Sequence, residues 1–316
     1  MQFVAVLNRD GGTLRTTDLG AFADRLEKVL GKGGHTVDIR VVSGRQIEYA
    51  LAKAASDPAD VVMAGGGDGT ISAAASALMH SKKALAVLPA GTMNLFARSL
   101  GIPLSLDAAI EAFVDTEVSA VDIASANGRP FVHQFSVGMH AKMVDMREKM
   151  QFRSRLGKLR ASMKAATAAL LNPPILKATL EVDGREIPLR ATNIGITNNL
   201  FGEGHLPYAD DPDGGVLGVY ATIASKRGEL FRAAYDVWRG RWNASSHVDV
   251  YQGEKVVLRL RLGRRKAKCV IDGELLPLEA ETVFSIYKKA LRVLVPCMAA
   301  ANGSTPAKPE PVAASG

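Results

Sequence analysis

The chain reads DVVMAGGGDGT over residues 60–70, an apolar run followed at once by a glycine cluster. The apolar run predicts a buried strand, and Ile71, Ala75 and Leu78 then recur on one face of a helix. Glycines at a strand-to-helix turn let the backbone approach a phosphate closely, and the amino end of the helix favours negative charge. The stretch has neither the Lys-Ser/Thr of a Walker A loop nor the GxGxxG spacing of a dinucleotide fold. We therefore expect another type of phosphate loop, in which Asp68 serves a cation or accepts a proton.

The first 120 residues repeat this alternation of strand and helix. Apolar runs predict strands at 3–7, 37–42, 60–64 and 84–88, and helical spacing predicts helices near 19–30, 47–55 and 71–79. Repeated βα units imply a parallel sheet covered by helices. We predict an α/β domain over residues 1–120.

The pattern changes near residue 120. Three hairpin-type turns separate β-rich runs, namely Asn127-Gly128, Asp183-Gly184 and Asp272-Gly273. They predict a mostly antiparallel second domain over residues 121–283, built as a sandwich or a curved sheet. Residues 298–316 are rich in Ala, Gly, Ser, Pro and Lys, which is typical of a disordered tail.

A basic helical insertion is predicted at 141–171, where Lys and Arg alternate with Met, Leu and Phe. Two interpretations stand. The segment is either a solvated helix face over a core or a surface that attracts anionic lipid headgroups. The net charge of +7 suits an anionic membrane or a nucleotide, whereas an aromatic fraction of only 6% argues against a nucleic-acid platform.

The chain shows no signal-peptide pattern, no apolar run of membrane-spanning length, and two isolated cysteines, Cys269 and Cys297. We expect a cytoplasmic protein that contacts the membrane peripherally. An exposed edge of the antiparallel domain could support a homodimer.

A second motif reads PAGTMNLFAR over residues 89–98 and follows the fourth predicted strand. Open α/β sheets bind ligands at the carboxyl ends of their strands. Thr92 and Asn94 offer neutral hydrogen bonds suited to phosphate or ribose, although a plain turn into a short helix explains the same residues.

The two motifs together resemble the diacylglycerol kinase catalytic superfamily, which includes bacterial diacylglycerol kinases and sphingosine and ceramide kinases. The resemblance covers about residues 8–296. It implies a two-domain lipid-kinase-like architecture, with an α/β N-terminal nucleotide-binding domain and a β-sandwich second domain. A final strand within 284–297 would return to the first domain. It also implies ATP and Mg²⁺ as cofactors and a lipid substrate.

The resemblance further implies which residues contact the nucleotide. The first loop, 8–12, is similar to the family's first nucleotide loop, with Arg9 in place of its proline. The implied contacts are Asn8, Gly12, Ser43, Gly65, Gly66, Gly67, Gly69, Thr70, Thr92 and Asn94.

Two carboxylates compete for the role of general base. Glu274, in the stretch 270–274, is similar to the acidic residue of the family's Asp-Gly-Glu segment, and Asp68 is its rival or a metal-orienting group. A carboxylate can accept the hydroxyl proton as the transition state develops. From the residues alone, Asp272-Gly273 is a hairpin turn.

The acidic loop 210–217 resembles the family's structural magnesium loop and makes Asp213 a candidate ligand, since Mg²⁺ prefers oxygen donors. The second glycine, Gly215, departs from the family's pattern. So do Ser72-Ala73, where an Asn-Glu pair is common, and His140, where an acid is common.

We expect an ATP-dependent kinase that phosphorylates a lipid hydroxyl, on diacylglycerol or a sphingoid or ceramide-like lipid. A kinase of soluble substrates such as NAD shares the first glycine motif. A non-catalytic lipid or nucleotide sensor would explain the departures. The sequence does not distinguish diacylglycerol, a sphingoid base, ceramide and phosphatidylglycerol as the acceptor.

Overall fold

The structure is a computed structural model that describes residues 1–149, 171–224, 226–261 and 267–297. The predicted tail at 298–316 lies outside the described residues, as does most of the basic segment 141–171.

The N-terminal part contains four strands and five helices within residues 1–112. They are β1 (Gln2–Asn8), α1 (Leu19–Lys32), β2 (Thr36–Val42), α2 (Ile47–Ser56), β3 (Val61–Gly66), α3 (Asp68–Leu78), β4 (Ala84–Pro89), α4 (Leu95–Ser99) and α5 (Leu106–Ala112). The strands pair in parallel in the order β2-β1-β3-β4. All residues of β3 and β4 are buried, as expected for central strands with helices on both faces. The predicted α/β domain is confirmed.

The rest of the described chain is rich in β-strands. Its elements are β5 (Thr116–Ala126), β6 (Arg129–Phe131), β7 (Gln134–Gly138), α6 (Met139–Glu148), β8 (Leu176–Val182), β9 (Arg185–Ala191), β10 (Asn193–Asn198), β11 (Leu217–Thr222), α7 (Arg227–Trp238), β12 (Val248–Gly253), β13 (Lys255–Leu260), β14 (Lys268–Ile271), β15 (Glu274–Pro277) and β16 (Glu281–Pro296). In the described chain, β12-β11-β10-β7-β14-β15 form one antiparallel sheet. It packs on β16, β13, β8 and β9 through a second core, in which the rings of Phe135 and Phe284 lie 4.8 Å apart. The predicted antiparallel sandwich is confirmed.

The long strand β16 joins the two parts of the molecule. Its first half pairs antiparallel with β13, and near its end Val293 pairs in parallel with Leu85 of β4. Between the halves its register against β5 shifts, and Lys289 has a positive φ of 54°. This bulge bends the strand from one domain to the other, so the larger sheet is continuous across both.

Each of the three predicted hairpin turns is present, with positive φ at both central residues. That conformation matches the twist of the flanking strands. The chain leaves the sheet between β6 and β7, because the N–H groups of Val132 and His133 bind the carboxylate of Asp272. Helices α5 and α7 were not anticipated.

None of the described helices combines the length and the apolar character needed to cross a bilayer.

Candidate functional site

Three loops meet at the carboxyl end of the parallel strands. Gly12, after β1, lies so close to the end of β4 that a Cβ on it would stand 1.7 Å from the carbonyl oxygen of Ala90. Thr13 donates its N–H to that same oxygen at 2.8 Å. A Cβ on Gly91 would stand 2.8 Å from the Cα of Gly67. Glycine at these positions is what allows the loops to touch, backbone against backbone.

Side-chain hydrogen bonds connect the loops after β1 and β2 to these glycine loops. Asn8 donates from Nδ2 to the Oγ1 of Thr70 at 3.1 Å. The N–H of Gly44 donates to Asp10 Oδ2 at 2.8 Å, which draws the loop after β2 to the loop after β1. Ser43 in that loop donates its hydroxyl to Gln46 Oε1 at 2.8 Å. The structure thus brings together the predicted loops that carry Asn8, Gly12, Ser43, Thr70 and Gly91.

The glycines of the central motif have different environments. Gly65 is buried, and a Cβ there would stand 2.6 Å from Leu7 Cδ2, so its role is core packing. Gly66 lies against Thr70, where a Cβ would meet the threonine side chain at 2.5 Å. Gly69 is exposed and faces open space. Of the predicted contacts in this motif, Gly69 is therefore the one most open to a ligand, and Gly65 the least.

Asp68 ties the two glycine motifs together. Its Oδ1 accepts the N–H of Leu95 at 2.8 Å and its Oδ2 accepts that of Asn94 at 3.2 Å, both at the amino end of α4. Asn94 has a left-handed backbone and accepts the N–H of Gly91 on its Oδ1 at 2.8 Å. Thr92, at the tip of this loop, is exposed. The carboxylate of Asp68 thus holds the second loop in place, a role that sequence reasoning missed.

Asp272 makes the connection from the second domain. Its side chain is buried and accepts the N–H groups of Val132, His133 and Gln134 at 2.9–3.0 Å. Burial raises the pKa of Asp272, while these donors and the hydroxyl of Ser72 on α3 oppose the rise. The contact with Ser72 places this turn beside the helix that begins at Asp68. Sequence reasoning treated Asp272 as a turn residue, and only its position two residues before Glu274 pointed to more.

Glu274 lies outside this buried cluster. Its Oε2 accepts from Nη2 of Arg129 at 2.7 Å, and 59% of the side chain is exposed. Among the described residues, Arg129 is the hydrogen-bond partner of the Glu274 carboxylate. Glu274 therefore remains accessible to a substrate.

A small cleft lies between α4 and the second domain, with a cavity volume of about 10 Å³, which is about the room that one water molecule needs. Its lining residues are Phe96, Ser99, Val132, His133, Asn198, Ala209 and Pro212. Two polar atoms buried at its wall, His133 Nε2 and Asn198 Oδ1, have no hydrogen-bond partner among the described residues. Burial lowers the pKa of His133 to about 4, although the carboxylate of Asp68 acts in the opposite direction. The cleft thus has a neutral, partly polar wall.

We expect the protein to lose stability between pH 6.5 and 4. Burial lowers the pKa of both His133 and His140 from 6.5 to about 4, so the unfolded chain binds protons in this window before the folded protein does. The stabilising contribution is complete above pH 6.5 and is lost as the pH falls towards 4. Each imidazole contributes at most about 1.4 kcal/mol per pH unit within this window.

Urea unfolding at several pH values measures this loss. His140→Gln keeps a polar side chain near Ser136 Oγ, which lies 2.6 Å from His140 Nδ1 in the wild type, and should flatten the profile. If the unfolding free energy of both His133→Gln and His140→Gln fell with pH as steeply as that of the wild type, these two histidines would not cause the loss.

The acidic loop contains two neighbouring carboxylates. Burial and the nearby Asp213 raise the pKa of Asp211, as expected for like charges held close together. Lys289 Nζ lies 3.5 Å from Asp213 Oδ2 and supplies part of the opposing charge. No group of three or more His, Cys, Asp or Glu side chains among the described residues is arranged to hold a metal. The pair suits Mg²⁺, which often binds through one or two carboxylates and completes its shell with water.

Asp122 fixes this loop against the bend in β16. It is fully buried, and its carboxylate accepts the N–H groups of Gly215 and Lys289 at 2.7 and 2.8 Å. Gly215 has a φ of 75°, so the second glycine of the loop provides the left-handed turn that aims this N–H.

Comparisons with known proteins agree with this architecture. Residues 2–126 match the family described as diacylglycerol kinase catalytic domain, and residues 133–295 match the YegS C-terminal NAD kinase beta sandwich-like domain. A crystal structure of a diacylglycerol kinase from Bacillus anthracis superposes with a TM-score of 0.69 at 16% identity, over 92% of this chain and 96% of that one.

Curated relatives match over shorter stretches. An uncharacterized protein of Synechocystis is 28% identical over 193 residues, or 59% of this chain and 43% of the relative. A Pseudomonas aeruginosa protein named "Probable lipid kinase YegS-like" is 39% identical over 101 residues, 31% of this chain and 32% of the relative. The matches to these relatives therefore span less than half of their length.

The fold and the joined loops define a two-domain protein, in which β16 joins an α/β domain to a β-sandwich. The chain belongs to the family described as YegS C-terminal NAD kinase beta sandwich-like domain, whose model covers residues 133–295, and its residues 2–126 match the diacylglycerol kinase catalytic domain.

Proposed function

We propose that this protein is an ATP-dependent kinase that transfers the γ-phosphoryl group to the hydroxyl of a lipid, diacylglycerol or a sphingoid or ceramide-like lipid. The observation that carries the proposal is the pair of hydrogen bonds that the carboxylate of Asp68 accepts from the backbone of Asn94 and Leu95, which we call the Asp68 clasp. The clasp joins the two glycine loops into one surface beside the second domain. The name of the Pseudomonas aeruginosa relative supports a lipid as the acceptor.

The phosphates of ATP would lie against the amino end of α3. No described side chain caps this helix, so the N–H groups of Asp68 and Gly69 stay available to an anion, whereas that of Thr70 donates to the carbonyl oxygen of Gly67. Gly67 and Gly69 leave room for a close approach, and Thr92 offers a hydroxyl from the facing loop. Because phosphoryl transfer needs little covalent chemistry from the protein, such positioning supplies most of the catalysis.

Mg²⁺ would neutralise charge on the phosphates, and the candidate residues for holding it are Asp68 near the phosphates and Asp213 in the acidic loop. Each oxygen of Asp68 accepts one backbone N–H and keeps a further lone pair. Asp213 acts together with Asp211, whose pKa is raised by burial first and by the neighbouring Asp213 second.

Glu274 is the general base that we favour. Both oxygens of Asp68 are engaged in holding α4, whereas Glu274 is exposed and is held by one ion pair to Arg129. Its position two residues after Asp272 places it beside the domain junction. The acceptor hydroxyl would pass its proton to Glu274 as its oxygen attacks the γ-phosphorus and the bond to the β-phosphate oxygen breaks.

Glu274→Gln is expected to lower kcat by about 10²–10⁴-fold, the usual contribution of a general base. The KM for ATP should stay within about twofold, and the free energy of unfolding should change by less than about 1 kcal/mol, because the ion pair lies at the surface. Steady-state kinetics with a dispersed lipid acceptor and urea unfolding measure these effects.

Glu279→Gln is the matched control, since Glu279 is also exposed and accepts a single hydrogen bond, from Asn127 at 2.9 Å. It should leave kcat unchanged. If Glu274→Gln retained full kcat, the base would be another group, and Asp68 would be the next candidate.

A kinase of a soluble nucleotide is the second candidate, because the C-terminal half matches a domain described as NAD kinase beta sandwich-like. Thin-layer separation of products from γ-labelled ATP with lipid and with NAD distinguishes the two. Label in a lipid product supports our proposal, and label only in the NAD product would replace it.

A further inference from the structure

Helix α7 buries one side and exposes another. Leu230 and Ala233 are 0% and 3% exposed and pack with Ala224 and Met139. Phe231 and Tyr235, one turn apart on the opposite side, are 52% and 51% exposed. Aromatic side chains that stay half exposed on a well-anchored helix have an apolar body and, for tyrosine, a polar tip, which suits a membrane–water interface.

Two cations complete this face, which we name the aromatic–arginine ridge: Phe231, Arg232, Tyr235 and Arg239. The side chains recur at helical spacing along one line. Neither arginine forms an ion pair with a described residue. The ridge therefore combines exposed aromatic area with two positive charges.

Both acidic residues of the helix have described partners outside the ridge. Glu229 accepts the N–H of Lys226 at the amino end of α7. Asp236 accepts from the hydroxyl of Ser245 at 2.9 Å and pairs with Arg241 at 3.4 Å. The ridge thus keeps a net positive charge.

Helix α7 starts at the end of the antiparallel sheet away from the candidate active site, and its carboxyl end contacts the loop 202–205, where the N–H of Gly204 donates to the carbonyl oxygen of Gly240 at 2.9 Å. Asn193 pairs with Gly138 on one side and Thr222 on the other, so α6 and α7 both start from this end. At the other end of β7, the N–H of Gln134 donates to the carboxylate of Asp272. Four residues of strand separate the two ends, roughly 14 Å at about 3.4 Å per residue.

We propose that the aromatic–arginine ridge docks the protein on an anionic lipid bilayer, with Phe231 and Tyr235 inserted at the headgroup level and Arg232 and Arg239 on anionic headgroups. This inference rests on the proposed lipid acceptor. Helices with an aromatic face and arginines at its border bind in this way, and each cation near an anionic surface strengthens binding.

A second copy of the chain is a poorer occupant. A symmetric contact would place the same ridge on both partners, which brings the arginine pairs together. Each chain also carries a net charge of +7. Like charges facing each other oppose association, whereas an anionic bilayer attracts them.

The test is co-sedimentation of the full chain with vesicles of phosphatidylcholine, with and without phosphatidylglycerol. The wild type should bind the anionic vesicles. Phe231→Ser with Tyr235→Ser should weaken binding about tenfold or more, and each of Arg232→Gln and Arg239→Gln about fivefold. The matched controls lie on α2, where Tyr49 is 76% exposed and Lys53 is exposed. Tyr49→Ser and Lys53→Gln should bind as the wild type does.

Unchanged vesicle binding in the ridge variants would overturn the proposal. So would loss of a dimer, measured by light scattering, in variants that still bind vesicles, because the ridge would then be an interface between copies. Kinase assays with a lipid dispersed in detergent separate the two proposals. Ridge variants should keep wild-type turnover in this assay. If the wild type bound vesicles but labelled no lipid, the docking proposal would stand and the proposed kinase activity would be rejected.

Discussion

Asp68→Ala is expected to abolish phosphoryl transfer and to lower the free energy of unfolding by about 2 kcal/mol. The carboxylate accepts two backbone N–H groups at the start of α4, and hydrogen bonds to charged groups contribute about 1.5–3 kcal/mol each when buried. Asp68 is partly exposed, which reduces the sum. Without it the loop at Gly91 loses its attachment to α3, and both phosphate loops lose their relative position. Kinetics and urea unfolding of the same preparation measure the two effects.

Asp18→Ala is a matched control, because Asp18 Oδ1 accepts the N–H groups of Gly20 and Ala21 at 3.0 and 3.2 Å at the start of α1. It should cost about 1 kcal/mol, as the loss of an ordinary N-cap does, and leave turnover intact. Equal activity in the Asp68 and Asp18 variants would show that the clasp has no part in catalysis.

Gly12→Ala is expected to weaken ATP binding by at least tenfold and to destabilise the fold by about 3 kcal/mol. The new Cβ would stand 1.7 Å from the carbonyl oxygen of Ala90, so the first loop has to move away from the end of β4. Overpacking costs about 1–3 kcal/mol, and the φ of 39° adds strain for alanine. Calorimetric titration with ATP and urea unfolding measure the outcome.

Gly34→Ala is a control that introduces the backbone strain of Gly12→Ala without its steric crowding. Gly34 has a φ of 69°, but no atom lies within 4 Å of the site of its Cβ. We expect a loss of about 1 kcal/mol with unchanged ATP affinity. If Gly12→Ala also bound ATP normally, the first loop would not belong to the nucleotide site.

The parallel domain could be predicted well because each of its strands and helices is encoded by a pattern within a short stretch of sequence. The fully buried runs of β3 and β4 and the helical spacing of α1 each show within a short window. The hairpin turn at Asp183 is equally local, since two successive positive φ values favour Asn or Asp followed by Gly.

Asp68 and Asp272 show what the sequence could not reveal. The backbone N–H groups that Asp272 binds lie 138–140 residues away, and those that Asp68 binds lie 26–27 residues away. A carboxylate that gathers distant backbone N–H groups looks the same in sequence as a turn residue or a catalytic acid. The motifs therefore located the site, whereas the division of roles between Asp68, Asp272 and Glu274 required the fold.

Helix α7 was missed for a related reason. Its stretch, RGELFRAAYDVW, mixes a buried line at Leu230 and Ala233 with exposed Phe231 and Tyr235, so the apolar periodicity is blurred. The irregular pattern is itself informative, because the aromatic residues that interrupt it are the exposed ones on the proposed membrane-docking face.

Transfer of label from γ-labelled ATP to lipid tests the central proposal most directly. Purified wild-type protein with Mg²⁺ and vesicles that contain diacylglycerol, sphingoid base or ceramide should yield a labelled lipid, and Asp68→Ala under the same conditions should yield none. If the wild type bound ATP but labelled none of these lipids, the proposal that it is a kinase of these lipids would be wrong.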